Sequence, residues 1–298
     1  MSQFSPNLFI LGAAKCGTTA LHDMLSRVDG VCMSNPKEPY FFECEFEKGL
    51  DYYRNTYFAH WQGEGIIGES RHRNLYLPYI PDRLFFVNSN PKFIVVLRNP
   101  VERAFSHWWH FYSRNQEVLD FKDAVREDIA RIKSGRDLST KTEREGYCAN
   151  LNGFLNGIYR TYVDSGYYFE QIKRYHDTFG LDNLLILNFD ELKGDQTYLK
   201  QKIANHLDID FSSFESSQIS SNTRKVVQRR GLIRKIGTVT GLKKIVPVYL
   251  KEKYHKASTD KIRASAYDKE TILMLKKHYL PHNKRLESII DFDITDWY

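Results

Sequence analysis

The apolar run FIVVL at 93–97 is the strongest constraint on the fold. Its centre is β-branched and it lacks polar alternation, the pattern of a strand buried on both faces. Pro100 follows where a helix would open, its preferred helical site, and the pattern predicts a helix to about Arg114. Residues 8–11, 65–68 and 184–187 read as further short strands. Helical patterns cover 18–26, 168–179, 198–207 and 269–279, and a Pro-broken tail ends at Trp297. Buried strands alternating with helices predict an α/β chain: one three-layer α/β/α domain over 1–298 with a central parallel sheet.

Composition adds limits. With 42% hydrophobic and 27% charged residues, the 298-residue chain is neither disordered nor fibrous. No apolar run approaches the ~20 residues of a membrane helix, and no basic segment precedes the short N-terminal apolar stretch. The expectation is a soluble cytoplasmic protein, or one whose native anchor has been removed. Cys16, Cys32, Cys44 and Cys148 form no CxxC pair and no zinc-like spacing, so four reduced thiols are expected. The net charge is +6, unevenly placed: residues 221–256 hold eleven Lys or Arg and a single acid, Glu252. This block predicts a basic surface excursion. It suits an anionic partner, a polyanion or a membrane surface, and equally a plain solvated face.

The chemistry concentrates in two segments. GAAKCGTT, Gly12 to Thr19, follows a strand and opens a helix, so backbone N–H groups and a helix N-terminus converge on one point. Against the triphosphate loop GxxxxGK[ST], Gly12, Gly17 and Thr19 keep register, but Thr18 takes the lysine position and Lys15 lies inside the loop. The strand 93–97 then ends in Arg98 where a metal-binding acid is usual. The pair predicts phosphate binding without a metal ion. In LRNPVERAFSHW, Arg98 and Ser106 can converge on a second phosphate. The alternatives are a Gly-rich turn with a helix cap, and a structural ion pair at Arg98 with Ser106 as a helix-surface residue.

These segments resemble the sulfotransferases that use 3′-phosphoadenosine 5′-phosphosulfate (PAPS). GAAKCGTTAL matches their 5′-phosphosulfate loop and LRNPVERAFSHW their 3′-phosphate motif. KEPYFFE, Lys37 to Glu43, is similar to the segment after the loop in heparan-sulfate and related carbohydrate sulfotransferases. Residues 164–192 and 279–286 are similar to soluble bacterial members. The resemblance is weakest over 70–90 and across the basic block. It implies a P-loop-like sulfotransferase fold and transfer of a sulfuryl group to a hydroxyl or amine of a carbohydrate, glycolipid or small molecule, with no nucleic-acid partner. It places Lys15 on the bridging oxygen of the donor. Cys16, Gly17, Thr18 and Thr19 fall at the 5′-phosphate, and Arg98 and Ser106 at the 3′-phosphate. Arg229, Arg230 and Gly231 are partly similar to a closing loop over the latter.

Glu38 matches the family's general base; read alone it is a surface carboxylate ahead of Pro39. His72, His107 and His110 are rival bases, the last two expected as packing or surface residues of the helix after Pro100. Gly166 and Tyr168 fall at family positions taken as structural. The aromatics near 40–57 could stack on sugar rings, although core packing is the commoner role. Two other classes stay open: a small-molecule kinase with an altered phosphate loop, and a non-catalytic polyanion-binding protein.

Overall fold

The computed structural model describes residues 4–135, 137–149, 160–214 and 267–298. The basic block at 221–256, with Arg229, Arg230 and Gly231, lies outside the described residues.

Among the described residues five strands form one sheet: β1 (Leu8–Gly12), β2 (Val31–Met33), β3 (Ile66–Ser70), β4 (Lys92–Leu97) and β5 (Leu184–Asn188). Their order is β2-β3-β1-β4-β5, with every neighbouring pair parallel. All of β1 is buried, as is β4 beyond Lys92, which requires cover on both faces. The cover comes from α1 (Thr18–Leu25), α2 (Gly49–Tyr57), α3 (His72–Tyr76), α4 (Ile80–Val87), α5 (Pro100–Tyr112), α6 (Phe121–Lys133), α7 (Lys141–Ala149), α8 (Tyr168–Phe179), α9 (Gln196–Leu207) and α10 (Lys269–Leu286). This is the α/β architecture with a central parallel sheet that the strand pattern predicts.

β1 leads by way of β2 to β3 on one flank, and the chain then crosses to β4 and β5 on the other. The carboxyl edge around β1 is therefore the switch point where open α/β sheets place ligands. The turn after β1, the β3–α3 junction and the β4–α5 junction all open there. A side-chain cap fixes the start of α5: Asn99 Oδ1 accepts from the backbone N–H of Val101 at 3.0 Å, and Pro100 fills the first turn.

Two features depart from expectation, and between them one follows the commoner alternative. α10 continues through Pro281 to Leu286. The missing proline N–H costs one helical bond, but Leu275, Tyr279, Asn283 and Leu286 bury one face of the helix and hold it on course. Among the aromatics of 40–57, Phe41, Phe42, Tyr53 and Tyr57 are buried core residues, Phe41 and Tyr53 stacking at 4.3 Å, while Tyr40 is exposed. Four reduced thiols are not found. Cys44 and Cys148 form a disulfide across 104 residues, and Cys16 and Cys32 are free and buried. The cross-link follows from packing. α7 lays Tyr147 against Glu43, in the π-helical turn Phe41–Glu45, and brings the two cysteine Cα atoms to 5.6 Å. Among the described residues no helix is long and apolar enough to cross a membrane.

Candidate active site

The loop after β1 is built by backbone. The Ala13 N–H donates to the carbonyl of Val96 at 2.8 Å, tying the loop to β4. Lys15 holds a left-handed conformation, φ 69°, and Gly17 another, φ 83°. The first costs a non-glycine residue about 1–3 kcal/mol and recurs at functional sites. At Gly17 a Cβ would lie 2.7 Å from Leu192 Cδ2 and 3.2 Å from Phe189 Cε2, so only glycine brings the loop this close to the turn after β5. Among the described residues no side chain caps α1 at Gly17. The amides of its first turn, including those of Thr18 and Thr19, thus keep the geometry that receives an oxyanion. Cys16 is fully buried beside them, and burial pushes its thiol up to about 11, so its part in the loop is its backbone.

Lys15 extends from this loop to Nδ1 of His110 on α5, at 3.1 Å. On the other side of the helix start, Lys37 Nζ donates to Thr18 Oγ1 at 3.4 Å and to Glu38 Oε1 at 3.1 Å. The Glu38 carboxylate also meets Arg71 Nη1 at 3.3 Å and His72 Nδ1 at 3.4 Å. Thr18, Lys37, Glu38, Arg71 and His72 are thus linked side chain to side chain from the anion loop to a carboxylate. Burial pushes Glu38 up, but His72, Lys37 and Arg71 together outweigh it and hold the carboxyl far below its ordinary range. Glu38 is therefore ionised at neutral pH. Burial pulls His72 below its ordinary value despite the opposing pull of Glu38.

The rival histidines separate. His107 is buried, its ring 6.5 Å from that of His72 and its Nδ1 without a hydrogen-bond partner; burial, then Arg103 and Arg73, push it well down. His110 does more than pack, since it abuts Lys15. Sequence reasoning gave no role to Lys37 or Arg71. Lys37 was legible as the neighbour of Glu38, whereas Arg71 sits in the stretch where the resemblance is weakest.

Arg98 stands at the carboxyl end of β4, as its position after 93–97 predicts. Its Nη2 donates to Glu102 Oε2 at 2.7 Å, and its guanidinium lies 4.9 Å from the Phe189 ring centroid. Arg98, Glu102 and Ser106 recur at every fourth residue, and Ser106 is half-buried on α5. The Arg98 carbonyl accepts from Tyr168 Oη at 2.8 Å. A Cβ at Gly166 would meet the Tyr279 ring at 2.8 Å. Among the described residues no three His, Cys, Asp or Glu side chains are grouped so as to share a metal ion.

The switch point of the parallel sheet thus brings the loop after β1 beside the Glu38 carboxylate. Residues 5–231 match the sulfotransferase domain, and the chain belongs to the sulfotransferase family. It is 31% identical over 108 residues to the membrane-associated sulfotransferase kil1 of Dictyostelium discoideum, an overlap of 36% of this chain and 23% of that protein. It is 32% identical over 117 residues to heparan sulfate glucosamine 3-O-sulfotransferase 3A1 of Mus musculus, 39% of this chain and 29% of that protein. The matched segments thus span about a quarter of the length of these relatives. A crystal structure of a sulfotransferase from Alicyclobacillus acidocaldarius shares the fold, with TM-score 0.68, 21% identity and 99% of each chain covered.

Proposed function

We propose that this sulfotransferase moves the sulfuryl group of PAPS to a hydroxyl or amine of a carbohydrate, glycolipid or small molecule, and that residues 1–298 act as one catalytic domain. The observation that carries this reading is the unbroken contact from Thr18 through Lys37 to Glu38. It sets a carboxylate beside the loop where the donor's 5′-phosphosulfate would lie. The uncapped α1 amides, the hydroxyls of Thr18 and Thr19 and the Lys15 ammonium suit that anion, and Arg98 and Ser106 suit the 3′-phosphate. Lys15 stabilises charge on the departing phosphate oxygen. Glu38 takes the acceptor's proton as its oxygen or nitrogen attacks sulfur. Positioning and fixed cations suffice for this transfer, so no metal ion is required. Carbohydrate acceptors are supported by the name of the glucosamine 3-O-sulfotransferase relative. A cytoplasmic location, and contact of the basic block with a membrane or polyanion, belong to the same proposal.

The test is an acceptor screen with radiolabelled PAPS across glycans, glycolipids and phenols, with and without chelator, beside calorimetry with adenosine 3′,5′-bisphosphate and with ATP–Mg²⁺. Label transfer insensitive to chelator, with binding of the bisphosphate, is expected. Binding of ATP–Mg²⁺ alone would point to the kinase reading, and salt-sensitive polyanion binding alone to a non-catalytic one. One specific contact favours a second base: His72, with Nδ1 3.4 Å from Glu38 Oε2. Full turnover in Glu38→Gln together with its loss in His72→Asn would transfer the role.

A further inference from the structure

We propose that Arg71 is a positioning residue: anchored from behind by Glu43 and Tyr147, its guanidinium fixes the Glu38 carboxylate in place. The inference rests on the reading of Glu38 as the base. It starts from a buried charge whose burial needs a reason.

Arg71 lies between the end of β3 and the start of α3, on the same sheet edge as the anion loop, and its backbone N–H donates to the Ile10 carbonyl at 3.2 Å. Its side chain is almost wholly buried and divided between two carboxylates. Nε donates to Glu43 Oε2 at 2.6 Å, Nη2 donates to the same oxygen, and Nη1 reaches Glu38 Oε2 at 3.3 Å. Tyr40 lies over the guanidinium, 4.2 Å from its ring centroid. Glu43 is 1% exposed and its other oxygen accepts from Tyr147 Oη, while its carbonyl accepts from Tyr79 Oη at 2.9 Å.

A pair formed for stability alone would be Arg71 with Glu43, and such pairs seldom repay their desolvation. The third donor is what distinguishes this one. The planar guanidinium is gripped along one edge by a buried acid and presents its remaining amine to a carboxylate whose side chain is 35% exposed. The rigid end of the assembly is in the core and the free end is in the site. Lysine lacks the planar fork that holds one acid along an edge while presenting a separate nitrogen to the other.

Four charged or titratable groups face Glu38: Lys37 from its own segment, Arg71 and His72 from the β3–α3 junction, and His22 from α1, which feels both Lys37 and Glu38. Arg71 alone among them is held in turn by a buried counter-charge. Its removal should let Glu38 titrate higher and swing away from the acceptor.

The experiment is a carbon-13 NMR titration of the glutamate carboxyls, with the Glu38 resonance assigned by Glu38→Gln. It is run on the wild type, on Arg71→Lys, and on the double variant Arg71→Met/Glu43→Gln, which removes both buried charges and so avoids leaving Glu43 uncompensated. Steady-state kinetics and bisphosphate calorimetry accompany it. In the double variant Glu38 is expected to titrate higher than in the wild type. Its kcat should fall about tenfold or more while bisphosphate affinity holds, and Arg71→Lys should recover part of the titration shift. A folded double variant in which Glu38 titrates as in the wild type overturns the proposal. The two readings separate cleanly: if Glu38→Gln turns over normally while the titration still moves, Arg71 positions Glu38 but Glu38 is not the base.

Discussion

The two sides of the site are made of different material. The donor side, Gly12 to Thr19, is backbone: two left-handed residues, an uncapped helix and one lysine. The acceptor side is side chain: Glu38, Arg71, His72 and Glu43, charged or titratable groups packed against one another, with Glu43 fully inside the protein. Backbone amides hold an anion with no titration and little reorganisation. A carboxylate that must receive a proton needs its ionisation set by neighbours, and neighbours can be exchanged. In the proposed reading, the constant chemistry, holding the donor, is committed to geometry, and the chemistry that meets the acceptor is committed to a network of charges.

The sharpest way to break this division is to remove one group from each side. Glu38→Gln is expected to lower kcat by about 10²–10⁴, the usual worth of a general base, with bisphosphate binding unchanged by calorimetry. Lys15→Ala should cost about 10²–10³ in kcat, as for loss of one oxyanion donor. Here donor affinity should weaken as well, because the same ammonium faces the ground-state phosphosulfate. If Glu38→Gln weakened the bisphosphate and Lys15→Ala did not, the assignment of the two sides would be reversed.

The same division explains what the sequence disclosed. Residues 93–97 announce β4 because a doubly covered strand must be apolar throughout, and GAAKCGTT announces the loop because its close approach at Gly17 admits only glycine. β2, Val31–Met33, is an edge strand of three residues and carries too little pattern to read. Arg71 is one arginine in a short irregular link, and its meaning depends on Glu43 and Tyr147, 28 residues before and 76 after it in the chain. The Cys44–Cys148 bond has the same origin, since contacts across 104 residues leave no local signature. α10 passes Pro281 because tertiary burial outweighs a local preference. Backbone sites are written locally, and charge networks are written in the fold.

A smaller effect sharpens the donor side. Gly17→Ala puts a Cβ at φ 83° and 2.7 Å from Leu192. It should destabilise the fold by about 1–3 kcal/mol, seen as a lower midpoint in urea. It should also weaken bisphosphate binding, because the loop is forced back from the turn after β5. An unchanged midpoint would mean that the loop relaxes freely and is less rigid than its geometry implies.

A last effect concerns where pH enters stability, and is read as a slope rather than as a single loss. Glu69, on β3, is fully buried and accepts from Tyr53 Oη and Asn74 Nδ2, each at 2.5 Å. Burial pushes its carboxyl up to about 7, and the two hydrogen bonds offset this only in part. The unfolded chain releases that proton near the ordinary 4.5, so between there and about 7 the folded state binds more protons than the unfolded one. Stability from this group should therefore fall as pH rises through that window and level off above it. Glu69→Gln keeps both the shape and an acceptor for Tyr53, and should flatten that slope in urea midpoints measured from pH 4.5 to 8. An unaltered slope in the variant would show that Glu69 does not change its protonation between pH 4.5 and 8, and the pH dependence would then have to come from another group.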